Sequence, residues 1–513
     1  MDVKPSMVTP AVLRVSRRLT SGLVAAFVAE CTVGSSGRWL VVGPLSIRML
    51  LFLGCLLVAI PILWHERRYL ARESFLWVVA AFLAALCVSA VWAHHLHNSN
   101  AFIAADLTTF SALLLVPTVL ALRLTVSEVE RLLSILFWGA VALALATLTL
   151  HVLAPLGVID VNALSQWLTR HSLGGLADVG DGILRIYLRS EVLFIPALLL
   201  GVRRLATRNQ PQPTHGRLHH LGYLVGSTVL TMGLVLSLTR SLWMGTLTAL
   251  VVFFVWCARD LAALLRSLGL VLAGLAVLVG LSAVVYGGPA LLRASAERLS
   301  PRLVVLLPSS DPTTPTGAPT PTSPTGTSTT TPTSSTTPTT SGPSTQPEPS
   351  PTAAPEPDPE QPDPNADAVQ IRSRTLVLTK EKIRERPLTG WGIGYNLDEI
   401  RDDGRTEYLY WDLLMKLGAP GLALFLVLYA WTPVRLLTRR ASLTGPASSA
   451  GVLSASLAGV AVTSYFNPFL NSTLGIVILV LLVAVAAAPP DTSAPPDTTA
   501  QPNRTRRQWR HRA

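Results

Sequence analysis

Residues 221–258 read LGYLVGSTVLTMGLVLSLTRSLWMGTLTALVVFFVWCA. Two apolar runs, over 220–238 and 241–258, meet at Arg240 with almost no polar connection between them. Each run approaches the roughly twenty residues that a helix needs to cross about 30 Å of hydrocarbon. Neither run alternates between polar and apolar residues as the strands of a membrane barrel do. The stretch therefore predicts two membrane-spanning helices with a very short reversal at Arg240.

The same pattern recurs along most of the 513 residues, of which 50% are hydrophobic and 14% charged. We therefore predict an all-α polytopic membrane protein with about twelve transmembrane helices and one large external loop between helices 9 and 10. The predicted spans cover residues 10–30, 43–64, 74–93, 101–122, 132–154, 187–202, 220–238, 241–258, 267–286, 412–433, 447–466 and 468–488.

Composition divides the chain further. The loop contains a tract of Pro, Thr and Ser that cannot bury a core and is predicted to be disordered, followed by a structured polar segment. Polar structure held between apolar spans favours a functional role for that segment. Helices 1–9 are predicted within residues 1–286, and the external loop covers 287–411. The loop is divided into the disordered tract 308–366 and the structured segment 367–411. Helices 10–12 follow over 412–488, and a disordered basic tail covers 489–513.

Basic residues predict the orientation of the chain. Every second loop between the predicted spans carries several arginines, for example Arg67, Arg68 and Arg72. The N-terminus and the tail are also basic and fall on the same side as these loops. The positive-inside rule therefore predicts that both termini are cytoplasmic. The net charge of +11 is read as a topology signal and as contact with anionic lipid headgroups. Because the charge is scattered over many short loops, it argues against nucleic-acid binding.

Two arginines stand out because each lies within or beside apolar sequence. Residues 367–386 have helical periodicity, and Arg372 is predicted to fall in the middle of an apolar face that includes Ile371 and Leu376. Arginine offers a planar fork of donors suited to phosphate, and it is costly at membrane depth. For Arg372 and Arg240 two interpretations stay open, which are anion binding and contact of the guanidinium with solvent or lipid phosphate.

Arg189 lies at the start of the sixth predicted span, on the same side as Arg240, and Arg185 lies one turn earlier. A local ion pair with Glu191 is the alternative to a binding role for these two arginines. Both interpretations stay open from sequence.

Three charged residues surround the start of the tenth predicted span. Glu407 has no charged partner at helical spacing, and a carboxylate in a membrane-facing cleft is able to act as a general base. Asp412 and Lys416, at i and i+4, predict an ordinary ion pair on a helix surface.

The order of these features resembles the O-antigen ligase and O-antigen polymerase superfamily. The shared features are the many spans, the reversal Thr239-Arg240-Ser241, the large external loop, Arg372 followed by Pro387-Leu388-Thr389-Gly390-Trp391-Gly392-Ile393-Gly394, and then a span with Gly418-x-x-Gly421. The resemblance covers residues 180–440 by motif and the whole membrane region by the number of spans.

Members of this superfamily are metal-independent, inverting glycosyltransferases at the external face of the bacterial inner membrane. They transfer a glycan from an undecaprenyl-pyrophosphate donor to a lipid-linked or protein-linked acceptor, so no cofactor is expected. The resemblance implies that Arg240 and Arg372 hold the donor pyrophosphate, with Arg189 as a further contact. Pyrophosphate is a good leaving group, so fixed positive charge and a base for the attacking hydroxyl suffice for catalysis.

One position departs from the family pattern. Many members, the ligases especially, have His followed by Asn where this chain has Glu407-Tyr408. The difference argues against a ligase that depends on imidazole and favours a polymerase or a divergent, actinobacterial branch. The residues assigned are Glu407, Arg372 and Arg240 as catalytic, and Arg189, Arg185, Trp391 and Tyr408 as substrate-binding.

Three other functions are alternatives to a glycosyltransferase of this superfamily. A transporter or flippase of anionic lipid-linked or polar cargo is the main alternative, although the chain shows no internal repeat. A polyprenyl-phosphate-sugar mannosyltransferase is disfavoured because residues 31–42 contain no Asp or Glu. A membrane glycosyltransferase that polymerises peptidoglycan shares the chemistry but lacks the Gly-Trp-Gly-Ile-Gly arrangement.

Overall fold

The computed structural model describes residues 9–35, 39–42, 45–154, 156–178, 184–207, 215–258, 261–285, 364–397, 408–438 and 447–488. The helices are α1 (Pro10–Val33), α2 (Ile47–His65), α3 (Arg67–Leu70), α4 (Ser74–His95), α5 (Asn100–Phe110), α6 (Leu115–Leu122), α7 (Val126–Leu153), α8 (Val161–Arg170), α9 (Phe194–Ala206), α10 (His215–Leu236), α11 (Arg240–Trp256), α12 (Leu261–Val285), α13 (Pro364–Glu385), α14 (Leu409–Thr438), α15 (Ala447–Thr463) and α16 (Thr473–Ala487). Two 3₁₀ turns, Ser111–Leu114 and Arg189–Leu193, join α5 to α6 and lead into α9.

Several of these helices have the length and composition of membrane spans. Within the described residues seven segments qualify, namely Ile47–His65, Ser74–His95, Asn100–Leu122, Val126–Leu153, Leu218–Leu236, Leu261–Gly280 and Leu409–Leu437. Shorter apolar helices cover Arg240–Trp256, Ser449–Thr463 and Thr473–Ala487. The predicted helical, multi-pass membrane protein is thus confirmed, whereas the number of about twelve spans stays a prediction.

Part of the predicted domain plan lies outside the described residues. These undescribed parts are residues 308–363 of the Pro/Thr/Ser-rich tract and the basic tail over 489–513. The helix predicted over 367–386 is present as α13 and ends before Pro387, which cannot continue a helix comfortably.

Local sequence signals explain where helices begin. At α7 the Thr125 hydroxyl accepts a hydrogen bond from the Glu128 backbone N–H, and the Glu128 carboxylate accepts one from the Thr125 backbone N–H at 2.8 Å. Ser46 caps α2 and Asp160 caps α8 in a similar way. These side chains satisfy backbone donors that the first turn of a helix leaves free.

A group of three buried phenylalanines joins α4, α5 and α14. The ring centroid of Phe82 lies 5.2 Å from that of Phe110 and 5.9 Å from that of Phe425. In lipid, close packing of this kind is a main source of helix association. The cluster fixes α14 against α4 and α5, which are the helices that hold the region described below.

Two short hairpins interrupt the helices, and the sequence had indicated neither. β1 (Val41–Val42) pairs with β2 (Leu45–Ser46), and β3 (Gly174–Asp178) pairs antiparallel with β4 (Leu184–Leu188). Gly174 lies opposite Leu188, where a Cβ would be 1.9 Å from the carbonyl oxygen of Tyr187. The second hairpin carries Arg185 and ends directly before Arg189.

The connections between helices fall on two sides. One side, called the basic face, is defined by ion pairs of Arg123 with Glu66 at 2.8 Å, Arg435 with Glu73 at 3.3 Å and Arg203 with Glu130 at 3.0 Å. The other side, called the turn face, carries residues 237–239, 387–397 and 464–472. The sequence predicts that the basic face is cytoplasmic, and this orientation stays a prediction.

Candidate functional site

The glycine-rich stretch that the sequence singled out, residues 387–394, is called the glycine turn and lies between α4, α5 and α14. The Asn98 side-chain amide donates to the carbonyl oxygens of Trp391 and Ile393, at 3.0 and 3.2 Å. The Ser89 hydroxyl accepts a hydrogen bond from the Ile393 backbone N–H at 3.1 Å. Because its backbone groups are paired with side chains of α4 and of the α4–α5 connection, the turn is an anchored part of the bundle.

The glycines permit this close approach. Gly392 has φ +82° and Gly394 has φ +74°, a region in which other residues are strained. A Cβ on Gly392 would lie 2.7 Å from the Cα of Ala93, and one on Gly394 would lie 2.5 Å from the backbone nitrogen of Ile103. In this chain, therefore, the glycines serve the packing of the turn onto α4 and α5.

α14 is broken where the glycine turn meets it. Gly418 has φ 68° and ψ −179° within the helix, so residues 409–417 form a separate short segment. The Trp391 backbone N–H donates to Met415 O and the Gly392 backbone N–H donates to Lys416 O, each at 2.9 Å. The glycine turn thus uses carbonyl groups that the interrupted helix leaves free.

The break bends the chain back on itself. Tyr410 of the short segment lines the same cavity as Phe425 and Tyr429. In a straight helix with a rise of about 1.5 Å per residue, residues 410 and 429 would lie about 28 Å apart. The short segment is therefore folded alongside the rest of α14 and does not extend it.

A group of three charges, in which Lys416 and Asp412 are buried and Asp106 is half-buried, connects these parts. The Lys416 ammonium lies 3.0 Å from Asp106 Oδ2 of α5 and 3.2 Å from Asp412 Oδ2 of the short segment. Asp106 Oδ2 also accepts a hydrogen bond from the Gly394 backbone N–H at 2.7 Å. The prediction of an ordinary surface pair between Asp412 and Lys416 is wrong, since both residues are buried. The reason is the bend at Gly418, which turns their helix into the bundle.

Arg240 begins α11 at the predicted tight reversal, four residues after α10 ends at Leu236. Its side chain is exposed. Arg185 on β4 holds the reversal from the side, since its Nε donates to Ser237 O and its Nη2 donates to Thr239 Oγ1, both at 3.3 Å. The structure therefore brings together the predicted residues Arg185 and Arg240 through the reversal.

Residues 464–467, called the aromatic loop, connect the reversal to the segment after Glu407. The Asn467 side-chain amide donates to the hydroxyl of Ser241, the residue that follows Arg240, at 2.7 Å. The Tyr465 ring lies 6.2 Å from the ring of Tyr408. Two sequence motifs that are far apart along the chain, the reversal and the 407–411 segment, thus meet at this loop.

Close packing of two helices makes this meeting possible. A Cβ on Gly245 of α11 would lie 2.6 Å from the carbonyl oxygen of Gly459 of α15. Small residues at such a crossing allow helix backbones to approach in a membrane. The approach aligns the start of α11 with the end of α15, where the aromatic loop begins.

An apolar cavity of about 520 Å³ lies between α11, α14 and α15. Its lining includes Tyr410, Tyr429, Ala461 and Leu470. The Tyr410 hydroxyl donates to Ala461 O at 2.8 Å and the Tyr429 hydroxyl donates to Leu470 O, so both phenol groups are satisfied. Because Ala461 and Leu470 flank the aromatic loop in sequence, the loop lies at one end of the cavity.

Arg189 begins the 3₁₀ turn before α9, and its backbone N–H donates to Leu173 O at 3.1 Å. Glu191 is fully buried, and its carboxylate accepts no hydrogen bond from Arg185 or Arg189. The local ion pair that the sequence left open is therefore not present among the residues that the structure describes.

Arg372 lies on α13 and is exposed, as is Ile371. Leu376, which is predicted to share its apolar face, is half-buried, and both interpretations of Arg372, anion binding and contact with solvent or lipid phosphate, stay predictions. Over residues 371–385 of this helix, whose side chains the structure describes, the buried positions are Thr375 and Thr379. Arg372 lies one turn before Thr375 on the same side of the helix.

Trp391 packs inside the glycine turn. Its indole N–H donates to Lys382 O at 2.9 Å, its ring stacks on Tyr395 at 4.9 Å, and the Arg386 guanidinium lies 4.1 Å from its centroid. These contacts link α13 to the turn. Tyr408 is half-buried beside the aromatic loop, whereas Glu407 lies outside the described residues.

Sequence reasoning missed Asp106, Lys416, Tyr465 and Asn467 as members of this region. A signal existed for three of them. Asp106 is an acid inside a predicted span, which by itself marks a residue for attention. The sequence Ser464-Tyr465-Phe466-Asn467-Pro468, which carries Tyr465 and Asn467, is a short polar and aromatic stretch where the predicted spans 447–466 and 468–488 meet. The pairing of these residues with distant segments has no local signal.

No protein-family model, no curated protein and no solved structure matches the chain.

Proposed function

We propose that this protein is a membrane glycosyltransferase that polymerises or ligates a cell-envelope glycan from an undecaprenyl-pyrophosphate-linked donor. The transfer takes place at the external face of a bacterial inner membrane, with both termini in the cytoplasm. The acceptor is a second lipid-linked or protein-linked molecule. A polymerase is favoured over a ligase, because this chain has Glu407 where many ligases of the superfamily have histidine.

One observation supports this proposal above the others. The reversal at Arg240, the segment at Tyr408 and the aromatic loop meet at one end of an apolar cavity between α11, α14 and α15. An amphiphilic substrate needs such a combination, since its hydrocarbon chain requires apolar surface and its pyrophosphate requires fixed cations at the membrane boundary. Arginine is suited to the second task because its charge is permanent and its donors are arranged as a fork.

The chemistry that these residues would perform is a single displacement. The acceptor hydroxyl attacks the anomeric carbon, the bond from that carbon to the pyrophosphate oxygen breaks, and the configuration inverts. Arg240 and Arg372 stabilise the negative charge that develops on the leaving pyrophosphate. The Glu407 carboxylate accepts the hydroxyl proton. Arg189 and Arg185 add positive charge or position the reversal.

The test uses a deletion strain complemented with wild type, Arg240→Ala, Arg372→Ala or Glu407→Gln. Glycan chain length and the pool of lipid-linked donor in the external leaflet are measured. We expect short or missing glycan and accumulated external donor for all three variants. Arg374→Ala is the matched control, because Arg374 is also exposed on α13 and two residues from Arg372. An unchanged glycan in all three variants contradicts the proposal.

A second candidate is a transporter or flippase, and the broken helix α14 favours it. Transporters place charged groups next to interrupted helices at membrane depth, as the chain does with Lys416 and Gly418. The same experiment separates the two functions. Donor that is trapped in the cytoplasmic leaflet supports transport, and donor that accumulates outside supports transfer.

A further inference from the structure

The aromatic loop exposes two large rings beside the proposed catalytic segment. Tyr465 and Phe466 keep 41% and 38% of their surface accessible. Their rings are in edge-to-face contact at 5.0 Å, and Tyr465 makes a second such contact with Tyr408 at 6.2 Å. The Tyr465 ring is therefore held by an aromatic neighbour on each side while much of its surface stays open.

The backbone of the loop is equally fixed. The N–H groups of Tyr465 and Phe466 donate to the carbonyl oxygens of Val462 and Thr463, both at 3.1 Å. The Ser464 hydroxyl accepts a hydrogen bond from the backbone N–H of Leu470 at 3.0 Å, which closes the loop. A surface that is rigid before binding loses little conformational entropy when a ligand arrives.

Polar atoms at the edge of the loop are available to a ligand. Asn467 Nδ2 donates to Ser241 Oγ, whereas Asn467 Oδ1 accepts no hydrogen bond within the described residues. The hydroxyls of Tyr408 and Tyr465 likewise have no partner in the part of the chain that is described. An exposed ring with amide and hydroxyl groups around it combines apolar contact with the few placed polar groups that give a site its specificity.

We propose that Tyr465, with Phe466, Asn467 and Tyr408, forms a subsite for a pyranose ring of the acceptor glycan. The proposal rests on the proposed function and names where the acceptor sugar binds. The carbon–hydrogen face of a pyranose packs on an aromatic ring through dispersion and loss of apolar hydration. Its ring hydroxyls then reach Asn467 Oδ1 and the Tyr408 phenol group.

The position of the loop favours the acceptor over the donor. Asn467 contacts the residue after Arg240, and Tyr408 follows Glu407 in sequence. A sugar on Tyr465 thus lies near Tyr408, which follows the predicted base in sequence, and near the reversal that carries the predicted pyrophosphate contact, and an attacking hydroxyl must lie close to both groups. The alternative occupant is the lipid headgroup region, where tyrosine and tryptophan are enriched in membrane proteins.

The experiment uses full-length protein purified in detergent. The probe is a size-fractionated set of oligosaccharides released by mild acid from the lipid-linked glycan of the host cell. Binding is titrated by saturation-transfer NMR for wild type, Tyr465→Ala, Tyr465→Leu and Tyr465→Phe. Trp77→Ala is the control, since Trp77 is an exposed aromatic residue close to the basic face.

We expect Tyr465→Ala and Tyr465→Leu to raise the Kd for the probe about tenfold, since a ring contact is lost. Tyr465→Phe keeps the ring and is expected to stay within about twofold of wild type, as is Trp77→Ala. Tyr465→Leu keeps most of the side-chain volume. If this variant loses binding while its melting temperature is unchanged, the aromatic ring itself contributes to binding.

Two results overturn the proposal in different ways. Equal probe binding by wild type and Tyr465→Leu shows that the loop is not the subsite and leaves the glycosyltransferase function standing. No probe binding by wild type, together with an unchanged glycan in the Arg240→Ala strain, rejects the subsite and the proposed function together.

Discussion

The ammonium group of Lys416 lies 3.0 Å from the carboxylate of Asp106, although 310 residues separate the two in sequence. Asp106 also accepts a hydrogen bond from the Gly394 backbone N–H, and Lys416 also forms an ion pair with Asp412. One group of charges, in which Lys416 and Asp412 are buried and Asp106 is half-buried, therefore joins α5, the glycine turn and the short segment of α14. Because the segment leads directly to Tyr408, we expect the position of Tyr408 to depend on this group.

Lys416→Met removes the cation and leaves Asp106 and Asp412 close together without a counter-charge. Breaking a buried ion pair by removing one partner costs about 3 kcal/mol or more. We expect a melting temperature in detergent that is several degrees lower than that of wild type. Lys380→Met is the control because Lys380 is exposed on α13. Adding Asp106→Asn and Asp412→Asn to Lys416→Met should restore part of the loss, and equal melting temperatures for Lys416→Met and Lys380→Met would contradict the assignment.

Gly392→Ala tests whether the glycine turn is held by close packing. A Cβ at this position has an unfavourable φ of +82° and would lie 2.7 Å from Ala93. Together the strain and the clash are expected to lower the free energy of unfolding by about 2 kcal/mol or more. Gly269→Ala is the matched control, since a Cβ there meets no atom within 4 Å. A similar thermal stability for both variants would show that the turn adapts easily.

Much of the membrane architecture was predictable because it depends on local length and composition. The reversal at Arg240 and the helix before Pro387 are examples, since an apolar run and a proline act on their own neighbours. The hairpin of β3 and β4 was not predicted. Its strands are five residues each and lie in a polar connection, where periodicity gives little information.

The candidate region was predictable only in part, because its key contacts are long-range. The i,i+4 spacing of Asp412 and Lys416 is equally compatible with a surface pair and a buried one. Only the bend at Gly418 and the presence of Asp106 decide between them. For the buried positions of α13 over residues 371–385 the pattern of apolar residues was misleading, since they are two threonines whose hydroxyls bond to their own helix, namely Thr375 to Ile371 O and Thr379 to Thr375 O.

Arg185→Ala and Arg240→Ala together test whether Arg185 acts through the reversal. Arg185 contacts Ser237 and Thr239 at 3.3 Å, and Arg240 follows directly. We expect Arg185→Ala to lower the rate of glycan transfer about tenfold and to have no further effect when Arg240 is already alanine, as for residues that act as a unit. Arg185→Lys should not restore the rate, because lysine lacks the fork that reaches both acceptors. Effects that multiply in the double variant would indicate independent roles.

Cysteine labelling decides which face of the protein points outward. The assay uses a variant in which Cys31, Cys55, Cys87 and Cys257 are replaced, so that only an introduced thiol reacts. Phe466→Cys lies on the turn face and Ser127→Cys lies near Arg123 on the basic face, and both positions are exposed. A membrane-impermeant maleimide should label Phe466→Cys on intact cells and Ser127→Cys only after permeabilisation.

The expected pattern follows from the cost of moving arginine across a membrane. The basic face gathers Arg123, Arg203 and Arg435, and such loops stay on the cytoplasmic side during insertion. The opposite labelling would place Arg240 and the aromatic loop in the cytoplasm. A donor in the external leaflet could not then reach the reversal, so this single reversed result would reject transfer at the external face whatever the effect of the arginine variants.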